Sequence, residues 1–189
     1  MIYKANRAEE VKDVSAYNGR EMKYLAFSDL HGSLRGLQRL QAAINLEKPD
    51  LVLCLGDTLH GAYDDDPGAV IRYLSTCSVT IMGVRGNCDS YYDEKSLGFA
   101  TPETLTLYLD GHPLILRHAP FYYGLAKGDV AMFGHTHVKT LHEDDGVIFL
   151  NPGSIGKPRD DCASYAVLGQ GRIALKNADT FEEISALHL

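Results

Sequence analysis

Apolar positions along the chain alternate between short continuous runs and stretches with helical spacing. Residues 24–27 form an apolar run that ends in the polar segment SDLHGS, and residues 34–44 then carry leucine and isoleucine at intervals of three and four. That interval is the period of an amphipathic helix, whereas a short apolar run between turn residues is typical of a buried strand. The same order recurs in LVLCLGD, the helix-like residues 69–74 and VTIMGVRGNCD. This alternation predicts parallel βαβ units.

The pattern changes after Thr104, where short segments alternate between apolar and polar residues. These segments are TLTLYL, HPLILRH, VAMFGHTH, VIFLNPGS and SYAVLG, and the pairs Asp110-Gly111 and Asp145-Gly146 separate some of them. Asp-Gly pairs are typical of tight turns between antiparallel strands. The sequence therefore predicts an α/β fold in which a pair of mixed sheets is flanked by helices.

Length and composition predict a single domain. The chain has 189 residues with 45% hydrophobic content, which is enough for a core without disulfides. Residues 1–21 are polar and weakly patterned, so we interpret them as an N-terminal extension and residues 22–189 as the domain. No apolar run reaches the length of a membrane span, the N-terminus lacks the apolar region of a signal peptide, and the cysteines show no C-x-x-C pairing. These features predict a cytoplasmic protein without a membrane partner.

The charge balance limits the class of partner. The chain carries 18 lysines and arginines against 25 acidic residues, for a formal net charge of -7. Proteins that bind nucleic acid polymers depend on basic surfaces that neutralise phosphates. The charge therefore disfavours a nucleic acid polymer as a partner, whereas a homo-oligomer stays open.

Polar residues that can bind metal ions follow the predicted strands. Asp29 and His31 flank one residue after the first strand, His135 and His137 repeat this spacing, and side chains two apart on an extended chain point to the same side. Ligands bind at the carboxyl ends of strands in an open α/β sheet, so these residues are expected to converge on one crevice. The full candidate set is Asp29, His31, Asp57, Asn87, His118, His135 and His137.

The donor set indicates the kind of metal centre. Two carboxylates, one amide and four imidazoles are too many ligands for one ion, but they suit two ions about 3.5 to 4 Å apart that share a carboxylate. Oxygen and nitrogen donors without an obvious thiolate favour Mn²⁺, with Ni²⁺, Co²⁺, Fe²⁺ or Zn²⁺ as alternatives. Each short motif is common by itself, whereas the ordered combination predicts two divalent metal ions as cofactors.

The segments SDLHGS, LGDTLHG, VRGNCDS, FGHTH and NPGS resemble the calcineurin-like metallophosphoesterase superfamily, in particular its small YfcE-like phosphodiesterases. The resemblance runs from about Met22 to the strand around Val167. It implies a four-layer αββα sandwich. It also implies two metal sites that share Asp57, one with Asp29, His31 and His137 and the other with Asn87, His118 and His135.

The sequence departs from the superfamily pattern at positions that bear on catalysis. Cys88 occupies a position where the superfamily usually has a histidine that assists the leaving group, and the YfcE-like branch also has cysteine there. We interpret Cys88 either as a weak general acid or as a small packing residue. His60, three residues after Asp57, is either a contact to substrate phosphate or a plain loop histidine. The segment His118-Ala119-Pro120 replaces a His-Gly-His pattern, and the aromatic residues 121–123 that follow are core, interface or a stacking surface.

These features together predict a hydrolase. The predicted function is dinuclear-metal-dependent hydrolysis of a small phosphodiester substrate by direct attack of a metal-bridging hydroxide, without a phosphoenzyme. Two alternatives stay open: a non-catalytic scaffold on the same fold, and a phosphomonoesterase.

Overall fold

The computed structural model describes residues 21–60 and 65–189. The predicted N-terminal extension, residues 1–21, lies outside the described part of the chain except for Glu21. The elements in chain order are β1 (Tyr24–Phe27), α1 (Leu34–Glu47), β2 (Leu51–Cys54), α2 (Pro67–Thr76), β3 (Thr80–Gly83), α3 (Asp93–Leu97), β4 (Thr104–Leu109), β5 (His112–Arg117), β6 (Val130–Met132), β7 (Thr140–Asp144), β8 (Val147–Asn151), β9 (Ser164–Gly169), β10 (Arg172–Asn177) and β11 (Glu183–His188).

The strands form two mixed sheets. The six-stranded sheet has the order β11-β10-β9-β1-β2-β3, and the five-stranded sheet has the order β4-β5-β6-β8-β7. In the first sheet β1, β2 and β3 are parallel, whereas β9 pairs antiparallel with both β1 and β10. In the second sheet β5, β6 and β8 are parallel and the outer strands are antiparallel. The predicted α/β fold with two mixed sheets is confirmed.

The main core lies between the two sheets. It contains apolar side chains from the facing strands, among them Tyr24, Leu53, Leu116, Met132 and Leu150, all fully buried. Burying such side chains stabilises a fold by about 1.5 to 3 kcal/mol each. This core holds the two sheets face to face, so that the loops at their edges keep fixed positions.

The outer faces of the two sheets are covered differently. Helices α1 and α2 pack on the six-stranded sheet, where Leu40 and Val70 join Phe27 in a second buried cluster. On the five-stranded sheet, Phe121 packs with Phe133 and Phe149. Phe121 belongs to the segment that joins β5 to β6, in which the structure has no helix. The outermost layer on that side is therefore an irregular segment in the described part of the chain.

Helix α1 shows why the sequence folds as its pattern predicts. Its leucines at 37 and 40 are buried on one face, as the helical spacing requires. The Ser33 hydroxyl accepts a hydrogen bond from the backbone N–H of Gly36 at 3.2 Å, which caps the first turn. The helix ends at Lys48, whose φ of 48° is left-handed. No helix in the described ranges is both long and apolar enough to cross a membrane.

Helix α1 is tied to the first sheet by a carboxylate at its end. Glu47 accepts hydrogen bonds from Lys23 Nζ at 3.1 Å, from Tyr165 Oη at 3.0 Å and from Lys176 Nζ. Burial opposes ionisation of Glu47, but the bonds from Lys176, Lys23 and Tyr165 outweigh it and lower its pKa below the ordinary 4.5. The carboxylate therefore stabilises the fold only while it is ionised.

We expect Glu47→Gln to lower the free energy of unfolding at pH 7 by roughly 1 to 3 kcal/mol, because two ammonium groups lose their charged partner. A lowered pKa gives stabilisation that is complete above the unfolded value and disappears as pH falls through the folded value. Urea unfolding should therefore show a difference between Glu47→Gln and wild type at pH 7 that shrinks below pH 4. The exposed Glu143→Gln serves as control, and an equal difference at both pH values contradicts the role of the charge.

Candidate metal centre

The seven predicted ligands lie in five loops at one edge of the sandwich. These loops follow β1, β2, β3, β5 and β6, whose carboxyl ends meet there. The structure brings together all seven side chains, which fall into two groups joined by one carboxylate.

The first group is formed by Asp29, His31 and His137. The Nε2 atoms of the two histidines are 3.2 Å apart, and they lie 3.9 Å (His31) and 3.4 Å (His137) from Asp29 Oδ1. All three residues are buried. Ligands that bind one ion at about 2.1 Å are separated by roughly 3 to 3.5 Å, so His137 Nε2 already has the spacing of a co-ligand to both His31 Nε2 and Asp29 Oδ1.

The second group is formed by Asn87, His118 and His135. Asn87 Oδ1 lies 3.0 Å from His118 Nε2 and 2.7 Å from His135 Nδ1. Asn87 and His135 are exposed whereas His118 is buried, so this group is open to the surface. An ion held here would therefore be accessible to a substrate.

Asp57 lies between the two groups. Its Oδ2 atom is 3.7 Å from His31 Nε2 in the first group and 3.3 Å from His118 Nε2 in the second. Its Oδ1 atom accepts a hydrogen bond from the backbone N–H of Cys88 at 2.8 Å, which fixes the carboxylate plane. One oxygen of Asp57 therefore faces both groups, the position that a bridging ligand needs.

A buried oxygen without a partner supports the fit of a cation to the first group. Asp29 Oδ1 is buried, and none of the described residues donates a hydrogen bond to it. A buried carboxylate oxygen lowers the stability of the fold unless it accepts a hydrogen bond or coordinates a metal ion. The other oxygen, Oδ2, accepts the backbone N–H of His135 at 3.1 Å. Oδ1 is therefore left available to an ion.

Backbone carbonyls orient three of the imidazoles. His118 Nδ1 bonds to the carbonyl of Leu55 at 2.7 Å, His137 Nδ1 bonds to that of Lys157 at 2.6 Å, and His31 Nδ1 bonds to that of His60. A carbonyl only accepts, so each Nδ1 carries the proton. Each Nε2 is then available as a ligand, an arrangement typical of metal-binding histidines.

The backbone of the ligand loops is left-handed, which corrects one expectation from the sequence. Asp29, His31, Asp57, His135 and His137 have φ values of 53°, 49°, 52°, 66° and 61°. The spacing predicted that an extended chain brings the side chains of Asp29 and His31 together. The two side chains do lie together, but the chain there is not extended. Each residue instead has a left-handed backbone, a conformation in which Asp and His are enriched but still uncommon.

Two glycines allow the ligand loops to approach each other. A Cβ atom on Gly86 would lie 2.0 Å from Asp57 Oδ1, and one on Gly134 would lie 1.9 Å from Ser28 Oγ. Neither position has room for a side chain. The glycines of VRGNCD and FGHTH are thus required by close packing around the carboxylates.

Asp89 is a functional residue that the sequence reasoning missed. Its Oδ2 accepts the backbone N–H groups of Asp57 at 2.8 Å and Gly86 at 2.9 Å, and its Oδ1 accepts that of Thr58 at 2.8 Å. The carboxylate therefore joins the loop after β2 to the loop after β3. The sequence contains no signal for this role beyond an acidic residue two positions after Asn87.

The segment Asn151-Pro152-Gly153-Ser154 supports two further loops. Asn151 Nδ2 donates to the carbonyl of Gly134 at 2.8 Å, and Ser154 Oγ donates to the carbonyl of Asp29 at 2.7 Å. Both side chains are fully buried. The segment therefore fixes the loops after β1 and β6 by hydrogen bonds to their backbone.

The two residues proposed for catalysis are placed differently. Cys88 Sγ lies with a ligand atom of His31 and one of Asp57 in a cluster whose atoms are all within 4.8 Å of one another. It is therefore part of the site and not of the core. The imidazole of His60 is instead 3.1 Å from Asp93 Oδ1, and its carbonyl supports His31.

Burial dominates the electrostatics of the site. It raises the pKa of Asp29 despite the opposing charge of His137, and it raises the pKa of the Cys88 thiol to about 11, to which the negative Asp57 adds. Burial also opposes ionisation of Asp57, but the neighbouring His118 imidazole and the hydrogen bond from the Cys88 N–H lower its pKa to about 2. Negative charge is thus costly at Asp29 and Cys88 but favoured at Asp57, and a bound cation would offset the cost at Asp29.

Comparisons with known proteins agree with this geometry. Residues 22–170 match the model of the calcineurin-like phosphoesterase superfamily domain. The chain is 31% identical to phosphodiesterase YfcE of Escherichia coli K12 over 160 residues, covering 78% of this chain and 87% of the relative. It is also 31% identical to the probable metallophosphoesterase YsnB of Bacillus subtilis over 157 residues, covering 78% and 83%.

Solved structures show the same fold. The structure of the E. coli phosphoesterase YfcE matches with a TM-score of 0.82 and 27% identity, covering 88% of this chain and 99% of that one. Vacuolar protein sorting 29 of Cryptosporidium parvum matches with a TM-score of 0.64 and 19% identity over 89% and 99% of the chains, which shows the fold alone. The chain therefore belongs to the calcineurin-like phosphoesterase superfamily, as its motifs indicated, and is a phosphoesterase.

Proposed function

We propose that the protein is a two-metal phosphodiesterase that hydrolyses small phosphodiesters. The observation that carries this proposal is the position of Asp57 Oδ2, within 3.7 Å of His31 Nε2 and 3.3 Å of His118 Nε2. A carboxylate oxygen that faces two separate ligand groups is what a dinuclear centre requires. The name of the E. coli relative, phosphodiesterase YfcE, supports a diester as the substrate.

Divalent ions held by the ligand residues would lower the pKa of water to about 7 and polarise phosphoryl oxygens, which is the chemistry that direct hydrolysis near neutral pH needs. The protein supplies carboxylate oxygens from Asp29 and Asp57, the Asn87 amide and imidazole nitrogens. This mixed set of donors suits Mn²⁺, which we propose as the metal, and also Ni²⁺, Co²⁺, Fe²⁺ and Zn²⁺. The two carboxylate charges do not neutralise two divalent ions, so the centre attracts an anionic substrate.

The protein's own residues fix the orientation of the reacting groups. Carbonyls hold the imidazoles of His31, His118 and His137 by Nδ1, which directs each Nε2 toward the proposed ions. The thiol of Cys88 lies beside these ligands. A thiol is a weak hydrogen-bond donor, so we propose that substrates with good leaving groups are hydrolysed best. His60 is proposed to act through its carbonyl and not as a catalytic side chain.

A non-catalytic scaffold is disfavoured by the arrangement of the ligands. All seven side chains belong to one of the two ligand groups or, for Asp57, face both. The second group is open to the surface. Five of the seven are held in a left-handed backbone conformation that costs about 1 to 3 kcal/mol at each residue. A non-catalytic scaffold gains no function that would offset this strain. The four free cysteines support the expectation that the enzyme acts in the cytoplasm.

We expect the protein loaded with Mn²⁺ to hydrolyse bis-p-nitrophenyl phosphate faster than p-nitrophenyl phosphate. His135→Ala removes a ligand of the second group and should lower this activity by more than about 100-fold, since loss of mere supporting partners costs 10- to 100-fold. Metal content, measured by mass spectrometry, should fall from two ions to one, and His188→Ala on β11 is the control. A faster monoester reaction would favour the phosphomonoesterase. No hydrolysis of either ester with any of the candidate metals would favour the scaffold.

We expect Asp89→Ala to weaken binding of the metal ions by about 10- to 100-fold, because the loops after β2 and β3 lose the carboxylate that aligns them. Asp89→Asn keeps the shape of the side chain but replaces an acceptor with a donor, so it should fall between Asp89→Ala and wild type. The metal affinity of each variant is measured by titrating the metal ion and recording the midpoint of thermal unfolding at each concentration. Affinity equal to wild type in Asp89→Ala would show that Asp89 does not position Asp57.

We expect Cys88→His to speed the hydrolysis of a diester with an alkoxide leaving group, such as thymidylyl-(3′,5′)-thymidine, by roughly 10-fold or more. An imidazolium donates a proton more readily than a thiol, whereas p-nitrophenolate departs without help. The rate with bis-p-nitrophenyl phosphate should therefore change little. Cys88→Ser is the matched control for size. If Cys88→His leaves the dinucleotide rate unchanged, leaving-group assistance does not limit this enzyme.

A further inference from the structure

An open cleft of about 750 Å³ lies beside the second ligand group. Asn87, His118 and His135 form the wall nearest to the metal centre. The cleft continues away from these ligands between the loop after β3 and the segment that follows β5. It is larger than a single phosphate requires, so a substrate bound to the ions would place further groups in it.

Two arginines also line the cleft. Arg85 lies two residues before Asn87, and Arg117 immediately precedes His118. No carboxylate of the described residues lies within ion-pair distance of either guanidinium. Glu103 is the acidic residue that also lines the cleft, so the side chains there leave a net positive charge. That sign is opposite to the net charge of -7 of the whole chain.

Aromatic rings hold the two arginines in place. The Arg117 guanidinium lies 4.7 Å from the centroid of the buried Phe121 ring, and that of Arg85 lies 5.8 Å from the Tyr91 ring. Arg117 Nε is buried and has no hydrogen-bond partner among the described residues. The Nε–H of Arg117 is therefore unpaired, and a guanidinium can bind a planar or tetrahedral anion through two parallel hydrogen bonds.

We propose that Arg85 and Arg117 form a binding subsite for a second phosphate group on the substrate. The inference rests on the proposed function, because it places the scissile diester at the metal centre and the second phosphate in the cleft. Hydrolysis adds water across one P–O bond of the diester and releases an alcohol and a phosphomonoester. The second phosphate is not changed, since it only positions the substrate. The enzyme therefore prefers diesters that also carry a phosphomonoester, such as derivatives of nucleoside bisphosphates.

Two probes that differ by one phosphate test this subsite. They are thymidine 5′-(p-nitrophenyl phosphate) and the same compound phosphorylated on its 3′-oxygen. The exposed ring of Tyr123 lines the same cleft and can accept the nucleoside. The Mn²⁺-loaded enzyme should show a kcat/KM about 10-fold or more higher for the 3′-phosphorylated probe, because of its charge-assisted hydrogen bonds. The gain should appear in KM and not in kcat.

Variants distinguish the subsite from general attraction to the metal ions. Arg85→Ala and Arg117→Ala should each reduce the preference for the 3′-phosphorylated probe, and the double variant should abolish it. Arg117→Lys should keep only part of the preference, because lysine lacks the paired donors. Arg72→Ala, which removes an exposed arginine paired with Asp66, should keep the whole preference. Equal kcat/KM for both probes, or a preference that survives in the double variant, overturns the proposal.

Binding measurements separate failure of the subsite from failure of the proposed function. If neither probe is hydrolysed, the phosphodiesterase proposal fails, but calorimetry on the Mn²⁺-loaded protein still tests the cleft. Thymidine 3′,5′-bisphosphate should then bind about 10-fold or more tightly than thymidine 5′-monophosphate, and the double variant should bind both equally. Equal binding to the wild-type protein contradicts the subsite.

Discussion

The carboxylate of Asp57 is the group on which the rest of the site depends. The backbone N–H of Asp57 donates to Asp89, and Asp57 Oδ1 accepts the N–H of Cys88. Gly86 has no side chain, which leaves the space that Asp57 Oδ1 occupies. These contacts leave Oδ2 to face the histidines of both ligand groups. The separation of the two proposed ions is therefore set by the loops after β2 and β3. Parallel pairing of these strands places the two loops side by side.

The sandwich provides the rigidity that such a centre needs. Five ligand residues adopt left-handed backbone conformations, at about 1 to 3 kcal/mol each, and burial disfavours the charge on Asp29. These costs are local, whereas the apolar core between the sheets stabilises the whole fold. Hydrogen bonds from Asn151 and Ser154 then fix the ligand loops to the sheets. The strain persists because the surrounding packing allows no relaxed alternative.

The sequence predicted the elements whose signals are local. Strands such as β1 and the helix α1 follow from apolar spacing, and the candidate ligands, whose side chains lie close together, follow from polar residues placed directly after buried strands. The strands β7, β10 and β11 were not predicted. β7 and β11 are partly exposed edge strands, which carry mixed residues without clear alternation. The role of Asp89 and the carbonyl partners of the imidazoles depend on loops that are distant in sequence. No pattern within one loop encodes them.

Strand geometry explains how a proposed metal ligand and a proposed subsite residue can be neighbours in the chain. Along β5, Leu116 faces the core between the sheets, so the next side chain faces the outer side, where Arg117 meets Phe121. His118 then turns back toward the carboxylate of Asp57. Because one strand positions both side chains, the distance between the metal centre and the proposed phosphate subsite is fixed by the backbone. Selectivity for a substrate can then change at Arg117 while His118 stays in place, which separates the choice of substrate from the chemistry of hydrolysis.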